Sequence, residues 1–255
     1  MERKKLEKNW KHIHGASYKP IYLVNYFNLL IIEGQERFCL YNHKIIYNDY
    51  GVVIKLYFSP YEYYRQGGYL VPMKITKSEV DLRNNIRMLW EQHGAWTRMV
   101  IMSIVFGLPD EEVATNRLLR NPVDFANLLK FFYGNKNALK FSDLLKDHLV
   151  IAAQLVKAAK AGDNKSAAQA EKKWYENADE LATFLSYINP YWSKESWRSM
   201  LHEHLRLVKA EAVAMLTKDY AAGIKVYDNI ESQALEMADM MAAGIIKQFP
   251  YKFTI

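Results

Sequence analysis

The sequence has almost no cysteine and no long apolar run. Cys39 is the only thiol among 255 residues, so a disulfide framework within the chain is excluded. The longest apolar stretch, 21–32, is interrupted by Asn25 and Asn28. A membrane-spanning helix needs roughly 18–20 apolar residues in succession, so no such helix and no membrane partner are expected. Apolar residues nevertheless make up 50% of the chain, which is too much for a disordered protein.

Composition changes abruptly near residue 73. Residues 1–72 contain 11 of the 18 tyrosines, whereas residues 73–255 contain nine of the ten methionines and are rich in helix-forming Ala, Leu and Met. The first part carries +4 (10 Lys+Arg against 6 Asp+Glu) and the second +2 (24 against 22). Residues 73–255 show no basic stripe, so no nucleic-acid partner is expected. We predict an N-terminal extension, 1–72, and a helical bundle domain, 73–255.

The extension, residues 1–72, is rich in strand-forming residues at 44–47 and 52–58. One interpretation is a small β-rich appendage, marginally stable on its own at that size. The other is that translation of the natural protein begins at Met73, because Gly67-Gly68 can be encoded by a purine-rich stretch resembling a bacterial ribosome-binding sequence. The extension lacks the clean apolar segment of a secretory signal, so we expect a cytoplasmic protein.

From Glu79 onward the apolar residues recur at the helical period, and Gly, Pro, Asn, Asp and Ser separate successive helical stretches. Short connections between long helices favour antiparallel neighbours. The pattern therefore predicts an all-α fold, an antiparallel bundle of three helical hairpins. The six predicted stretches are 79–106, 110–132 with a break at Asn121-Pro122 (an Asn cap), 137–161, 164–188, 194–217 and 221–249.

A histidine occupies the same place in each predicted hairpin. Each follows an apolar pair and an acidic residue, and the spacings are 55 and 56 residues, for His93, His148 and His204. Such repetition indicates duplicated units packed together. An aspartate follows each histidine on the return helix, 31, 31 and 35 residues later, and we expect it to lie level with its histidine: Asp124, Asp179 and Asp239.

The three histidines lie on apolar stripes, where ionisable groups are costly unless they are paired or bound. We therefore expect a polar interior pocket in which they bind a divalent transition metal (zinc, iron or nickel) or a small-molecule ligand. The three aspartates, with Glu211 and Glu231 on similar stripes, are the candidate carboxylates. The alternative is structural: His–Asp or His–Glu hydrogen bonds that join helices in a non-enzymatic interaction protein. The pattern leaves catalysis and oligomeric state open.

Five stretches within residues 81–250 together form a specific pattern: LRNNIRMLWEQHGAWTR, TNRLLRNPVDFANLLK, DHLVIAAQLVKAAKAGD, INPYWS and HLRLVKAEAVAML. In these stretches the chain resembles a family of short bacterial chains of unsettled function that are labelled acetylglutamate kinases. The resemblance implies ATP-dependent phosphorylation of acetylglutamate and a chain that begins near Met73. Kinases of amino acids hold phosphates with glycine-rich loops after strands, whereas residues 73–255 contain six isolated glycines.

Overall fold

The chain divides into two compact units, Met1–Lys74 and Ile75–Ile255. The structure, a computed structural model, describes residues 75–253 in full. Of the first unit it describes only the backbone of five strands, at 23–31, 37–47, 53–57, 61–66 and 69–72. The expected start of translation at Met73 lies outside the described residues and stays a prediction.

The five strands of the first unit form one antiparallel sheet. The central strand β2 pairs with β1, β3 and β4, and β5 pairs with β4. The two stretches predicted from their composition correspond to the end of β2 and to β3. The bounds are β1 Leu23–Ile31, β2 Arg37–Tyr47, β3 Val53–Tyr57, β4 Tyr61–Gln66 and β5 Tyr69–Pro72.

The second unit is helical, and in residues 75–253 the structure contains no strand, which confirms the predicted all-α bundle. The predicted stretches agree with the observed helices to within a few residues, except that one continuous element covers 121–160. The helices are α1 Lys77–Phe106, α2 Glu111–Leu118, α3 Asn121–Lys160, α4 Asn164–Ile188, α5 Lys194–Leu216 and α6 Tyr220–Gln248, followed by a 3-10 turn, Pro250–Lys252.

Local side chains set the helix ends. Thr76 and Glu79 form a capping box at the start of α1, and Gly107 ends it in the left-handed conformation (φ 64°) that glycine adopts without strain. Asp163 caps α4 and Ser193 caps α5. Gly134 (φ 74°, ψ 170°) bends α3 into two segments, so the return helix of the first hairpin continues into the first helix of the second.

The helices pack in a closed ring around one apolar core. α3 contacts α4, α4 contacts α5, α5 contacts α6, and α6 returns to α1, which also contacts α3. Trp192 and Trp197, in and just after the α4–α5 connection, are fully buried together with Phe125 of α3 and Phe141 beyond its bend. No helix among the described residues is long and apolar enough to span a membrane.

Two buried helical glycines provide a matched test of this packing. A Cβ at Gly244 of α6 would collide with the indole of Trp192, whereas a Cβ at Gly94 of α1 would meet nothing within 4 Å. We expect Gly244→Ala to lower the free energy of unfolding by about 1–3 kcal/mol through overpacking. Gly94→Ala should raise it by about 0.5–1 kcal/mol, because alanine loses less backbone entropy in a helix. Urea unfolding of both variants measures this, and a Gly244→Ala variant of unchanged stability would contradict the packing.

Candidate functional site: three imidazoles inside the bundle

The three predicted histidines meet inside the ring of helices. His93 lies on α1, His148 on α3 and His204 on α5, and each is only 2% exposed. The ring centroid of His93 is 5.7 Å from that of His204 and 6.5 Å from that of His148. Imidazoles separated by more than fifty residues along the chain therefore share one desolvated layer. We call this cluster the histidine triad.

A very small cavity adjoins the histidine triad. Its volume is about 10 Å³, which is close to the minimum that holds one water molecule. Trp90 and Trp197 line it, and the indole N–H of each is buried without a hydrogen-bond partner. Anything larger than a water molecule or a single ion does not fit there. The other lining residues besides the triad are Phe141, Leu145, Leu181, Leu185 and Leu201.

A carboxamide holds His148 in place. Asn177 of α4 donates from Nδ2 to the carbonyl oxygen of Leu144 at 3.0 Å, one turn before His148 on α3. Because that nitrogen faces a carbonyl, the Oδ1 atom of Asn177 faces Nδ1 of His148, 2.9 Å away. A carbonyl oxygen only accepts, so Nδ1 of His148 carries the proton and Nε2 keeps its lone pair. The asparagine thus fixes both the tautomer and the ring orientation.

Gln233 of α6 repeats this arrangement at His204. Its Nε2 atom donates to the carbonyl oxygen of Met200 at 2.6 Å, again one turn before the histidine. Its Oε1 atom lies 3.1 Å from Nδ1 of His204. The same argument assigns the proton to Nδ1 of His204 and leaves its Nε2 atom without a proton.

Asn121, at the start of α3, occupies the equivalent position for His93. Its Nδ2 atom donates to the carbonyl oxygen of Leu89 at 2.9 Å, and Leu89 again precedes the histidine by one turn. Asn121 Oδ1 and His93 Nδ1 are both buried without a close hydrogen-bond partner, although the Asn121 side chain raises the pKa of His93 through a weaker interaction. Asn121 was predicted to cap a helix, and this is wrong: the side chain is fully buried and makes no cap.

Burial keeps the histidine triad neutral. It lowers the pKa of His93 well below 6.5, and the neighbouring His204 and His148 lower it further. Burial, with a smaller effect of His204, lowers the pKa of His148 to about 3. Burial lowers the pKa of His204 to about 4. All three rings are therefore uncharged near neutral pH, in the protonation state that a metal ligand requires.

The aspartates do not lie at the histidine triad, and the predicted pairing of each histidine with an aspartate is wrong. They are at least partly exposed on the outside of the bundle, where each forms an ion pair with an arginine. Asp179 also accepts a hydrogen bond from Nε2 of His202, 2.8 Å away. The ion pairs are Asp124 with Arg120, Asp179 with Arg198, and Asp239 with Arg87.

The two predicted glutamates lie away from the triad as well. The Glu211 side chain is 1% exposed but forms an ion pair with Arg98 of α1. Burial raises the pKa of Glu211, and Arg98 opposes the rise. Glu231 is exposed on α6 beside Glu91, whose pKa is raised by partial burial and by the charge of Glu231. Neither glutamate contacts an imidazole.

The carboxamides are the functional residues that the sequence-based prediction missed. Asn121, Asn177 and Gln233 stand 56 residues apart, and they follow their histidines by 28, 29 and 29 residues. This spacing is more regular than that of the aspartates. It could have been found in the sequence by aligning the three hairpins on their histidines.

The histidine triad is close to the geometry of a metal site but does not reach it. In residues 75–253 no group of three or more His, Cys, Asp or Glu side chains is arranged to hold a metal ion. Three imidazoles bound to one ion through Nε2 at about 2.0–2.1 Å would have ring centroids roughly 5–5.5 Å apart. The observed distance of 5.7 Å exceeds this by about 0.2–0.7 Å, and the observed distance of 6.5 Å exceeds it by about 1.0–1.5 Å.

Comparisons with protein families, with curated protein sequences and with solved structures find no match to this chain. The kinase activity implied by the resemblance is therefore untested, as is any other assignment through relatives. Function has to be argued from the site itself.

The lowered pKa values predict a steep loss of stability in acid. Unfolded histidines take up protons near pH 6.5, whereas His148 and His204 stay neutral until about pH 3 and pH 4 when folded. The unfolded chain thus binds more protons, and stability falls as pH drops below 6.5, by up to about 1.4 kcal/mol per pH unit for each histidine. Urea unfolding between about pH 7.5 and 4.5 measures the slope.

His148→Gln removes one imidazole that takes up a proton when the chain unfolds. It should therefore reduce the dependence of the free energy of unfolding on pH by up to about 1.4 kcal/mol per pH unit. Tyr187→Gln, at a side chain that is 82% exposed, is the control and should keep the original slope. The comparison uses the change in the free energy of unfolding per pH unit and not its absolute value. A general destabilisation of the variant therefore does not affect the result. An unchanged slope in His148→Gln would show that the imidazole is already charged or exposed.

Proposed function

We propose that the protein binds one divalent transition metal ion through the Nε2 atoms of His93, His148 and His204. The observation that carries this proposal is the repeated carboxamide, which accepts the Nδ1 proton of His148 and of His204 and leaves the Nε2 atom of each ring without a proton. Metal-bound histidines ordinarily donate their other N–H to such a partner, which fixes the ring and strengthens the ligand.

The energetics of burial favour bound metal over a purely structural role. Within residues 75–253 the triad atom that is buried without a hydrogen-bond partner is Nδ1 of His93. A buried polar atom left unpaired costs about 1–3 kcal/mol. Helix register alone could be secured by apolar side chains at these three positions without that cost. A metal ion would engage all three imidazoles at once.

Three nitrogen ligands leave one position of a tetrahedral ion open. A water molecule at that position would need space beyond that of the ion, and the cavity of about 10 Å³ excludes any larger ligand. The unpaired indole N–H groups of Trp90 and Trp197 are donors suited to such an oxygen ligand. Neutral imidazoles favour zinc, iron or nickel over calcium or magnesium. Approach of the imidazole rings by up to about 1.5 Å would complete the coordination.

Metal titration of the full chain, purified without an affinity tag, tests this proposal. We expect one ion of zinc or cobalt(II) per chain, with the visible absorption of four-coordinate cobalt(II). His148→Gln should weaken binding at least 100-fold, because it removes a ligand. Asn177→Leu should weaken it about 10–100-fold, because it releases the ring without touching the metal. Circular dichroism confirms that each variant is folded.

His202→Gln provides the matched control. His202 lies on the same helix as His204 but contacts Asp179 and Tyr175 outside the core. This variant should bind metal as the natural chain does. The proposal is overturned if no zinc, cobalt or nickel binds stoichiometrically, or if His148→Gln binds as well as His202→Gln. Either outcome would favour the alternative, a structural bundle whose small cavity holds a water molecule.

A further inference from the structure

A second, larger cavity lies between α1, α3, α4 and α5, close to the C-terminal end of α1. Its volume is about 130 Å³. An engineered protein cavity of similar size, about 150 Å³ and lined by aliphatic and aromatic side chains, stays dry and binds benzene. Here the walls are aliphatic and small side chains, including Ile101, Ile104, Val156 and Ala212. We call this space the apolar cavity.

The apolar cavity continues the axis of the bundle one turn beyond the histidine triad. Thr97, Ala152 and Val208 line it, and each stands four residues after a triad histidine on its own helix. Trp174 of α4 lines it too, and its ring centroid is 5.3 Å from that of His148. The two cavities are therefore stacked, with different lining residues.

Two residues that line the apolar cavity each carry a polar atom without a partner. Thr97 is 8% exposed and Trp174 is 2% exposed, and the hydroxyl of one and the indole N–H of the other are buried without a hydrogen bond. Both groups are donors. An unpaired buried donor is unfavourable in an apolar environment, which an oxygen acceptor supplied by a ligand would relieve.

One ion pair lies at the edge of the apolar cavity. Lys209 of α5 and Glu171 of α4 both line it, and Lys209 Nζ is 2.6 Å from Glu171 Oε1. Their side chains are 46% and 31% exposed, so the pair faces solvent and is weak. Separation of these two side chains offers a ligand a route between α4 and α5 without disruption of the core.

We propose that the apolar cavity binds a small apolar molecule, of the size of a five- or six-membered ring, that carries one oxygen acceptor. The ring fills the aliphatic space, and the oxygen accepts from Thr97 Oγ1 and Trp174 Nε1. This site uses no atom of the histidine triad, so it stands independently of metal binding.

Two probes of nearly equal shape test the proposal, cyclopentanone with an acceptor and methylcyclopentane without one. Both are titrated into the full chain in the presence of a metal chelator. A ligand that binds only the folded state raises the thermal midpoint, and the rise continues with the logarithm of its concentration above the dissociation constant. The indole N–H resonance of Trp174, assigned with Trp174→Phe, reports the site: both probes should shift it saturably, and cyclopentanone further downfield.

Variants separate the two parts of the proposal. Ala212→Leu fills the cavity and should weaken both probes at least 10-fold, since the remaining volume no longer holds a ring. Ala168→Leu, at an exposed alanine of α4 outside the cavity, is the matched control and should bind as the natural chain does. Thr97→Val should weaken cyclopentanone about 3–10-fold and leave methylcyclopentane unchanged. If Ala212→Leu does not fold, Ala152→Leu fills the same space from α3.

The site is overturned if neither probe shifts the Trp174 resonance up to its solubility limit, or if the filled variant binds both probes as well as Ala168→Leu does. Equal effects of Thr97→Val on the two probes would overturn the assignment of an oxygen acceptor. A fall of cyclopentanone affinity alone in Thr97→Val, with loss of both probes in the filled variant, supports the whole proposal.

Discussion

The centre of this bundle depends on a pair of hydrogen bonds, in which a carboxamide oxygen accepts from a histidine and the carboxamide nitrogen donates to the carbonyl one turn before that histidine. Asn177 and Gln233 each join two helices of one hairpin in this way. A carboxamide suits the position because it is neutral. A buried carboxylate there would stabilise the charged imidazolium and raise its pKa, whereas the amide satisfies Nδ1 and leaves the ring uncharged. The choice of amide over acid therefore sets the chemistry of the site.

The same interaction explains how the ring of helices is aligned. Each carboxamide bonds the carbonyl of a residue four before the histidine, so the return helix of each hairpin is fixed at the level of the triad. The three histidines lie at the same level of the bundle because they are 55 and 56 residues apart in the sequence. The bend at Gly134 contributes, because it lets α3 form the second helix of the first hairpin and the first helix of the second hairpin. A slip of one helix by a single turn would leave both a carboxamide N–H and an Nδ1 atom unpaired in the core, which is costly.

Sequence periodicity was enough to predict the helices and the convergence of the histidines, because the helices can be packed in few ways that bury one apolar stripe of each. It was not enough to predict which side chains form hydrogen bonds with the histidines. Asp179 stands two residues after Asn177, and a rotation of about 100° per residue places two such side chains on nearly opposite faces. The charge of Asp179 made it the predicted partner of the histidine. A charged side chain is more favourable on the outer face of the helix, where Asp179 forms an ion pair with Arg198.

The apolar cavity could not be predicted from the sequence for another reason. Small voids depend on how side chains pack in three dimensions.

The two cavities lie one helical turn apart along the bundle axis and differ in the side chains that line them. At the level of the triad, carboxamides satisfy the buried Nδ1 atoms of His148 and His204, and the remaining space is too small for anything but an ion or a water molecule. One turn further the histidines give way to Thr97, Ala152 and Val208, and the loss of side-chain volume opens the larger space. The apolar ligand proposed for the larger cavity would be confined to it by size alone, because the space at the triad has no room for a ring. The metal ion proposed for the triad would find no comparable set of ligands in the larger cavity, which offers only the Thr97 hydroxyl and, at its edge, the Glu171 carboxylate that pairs with Lys209.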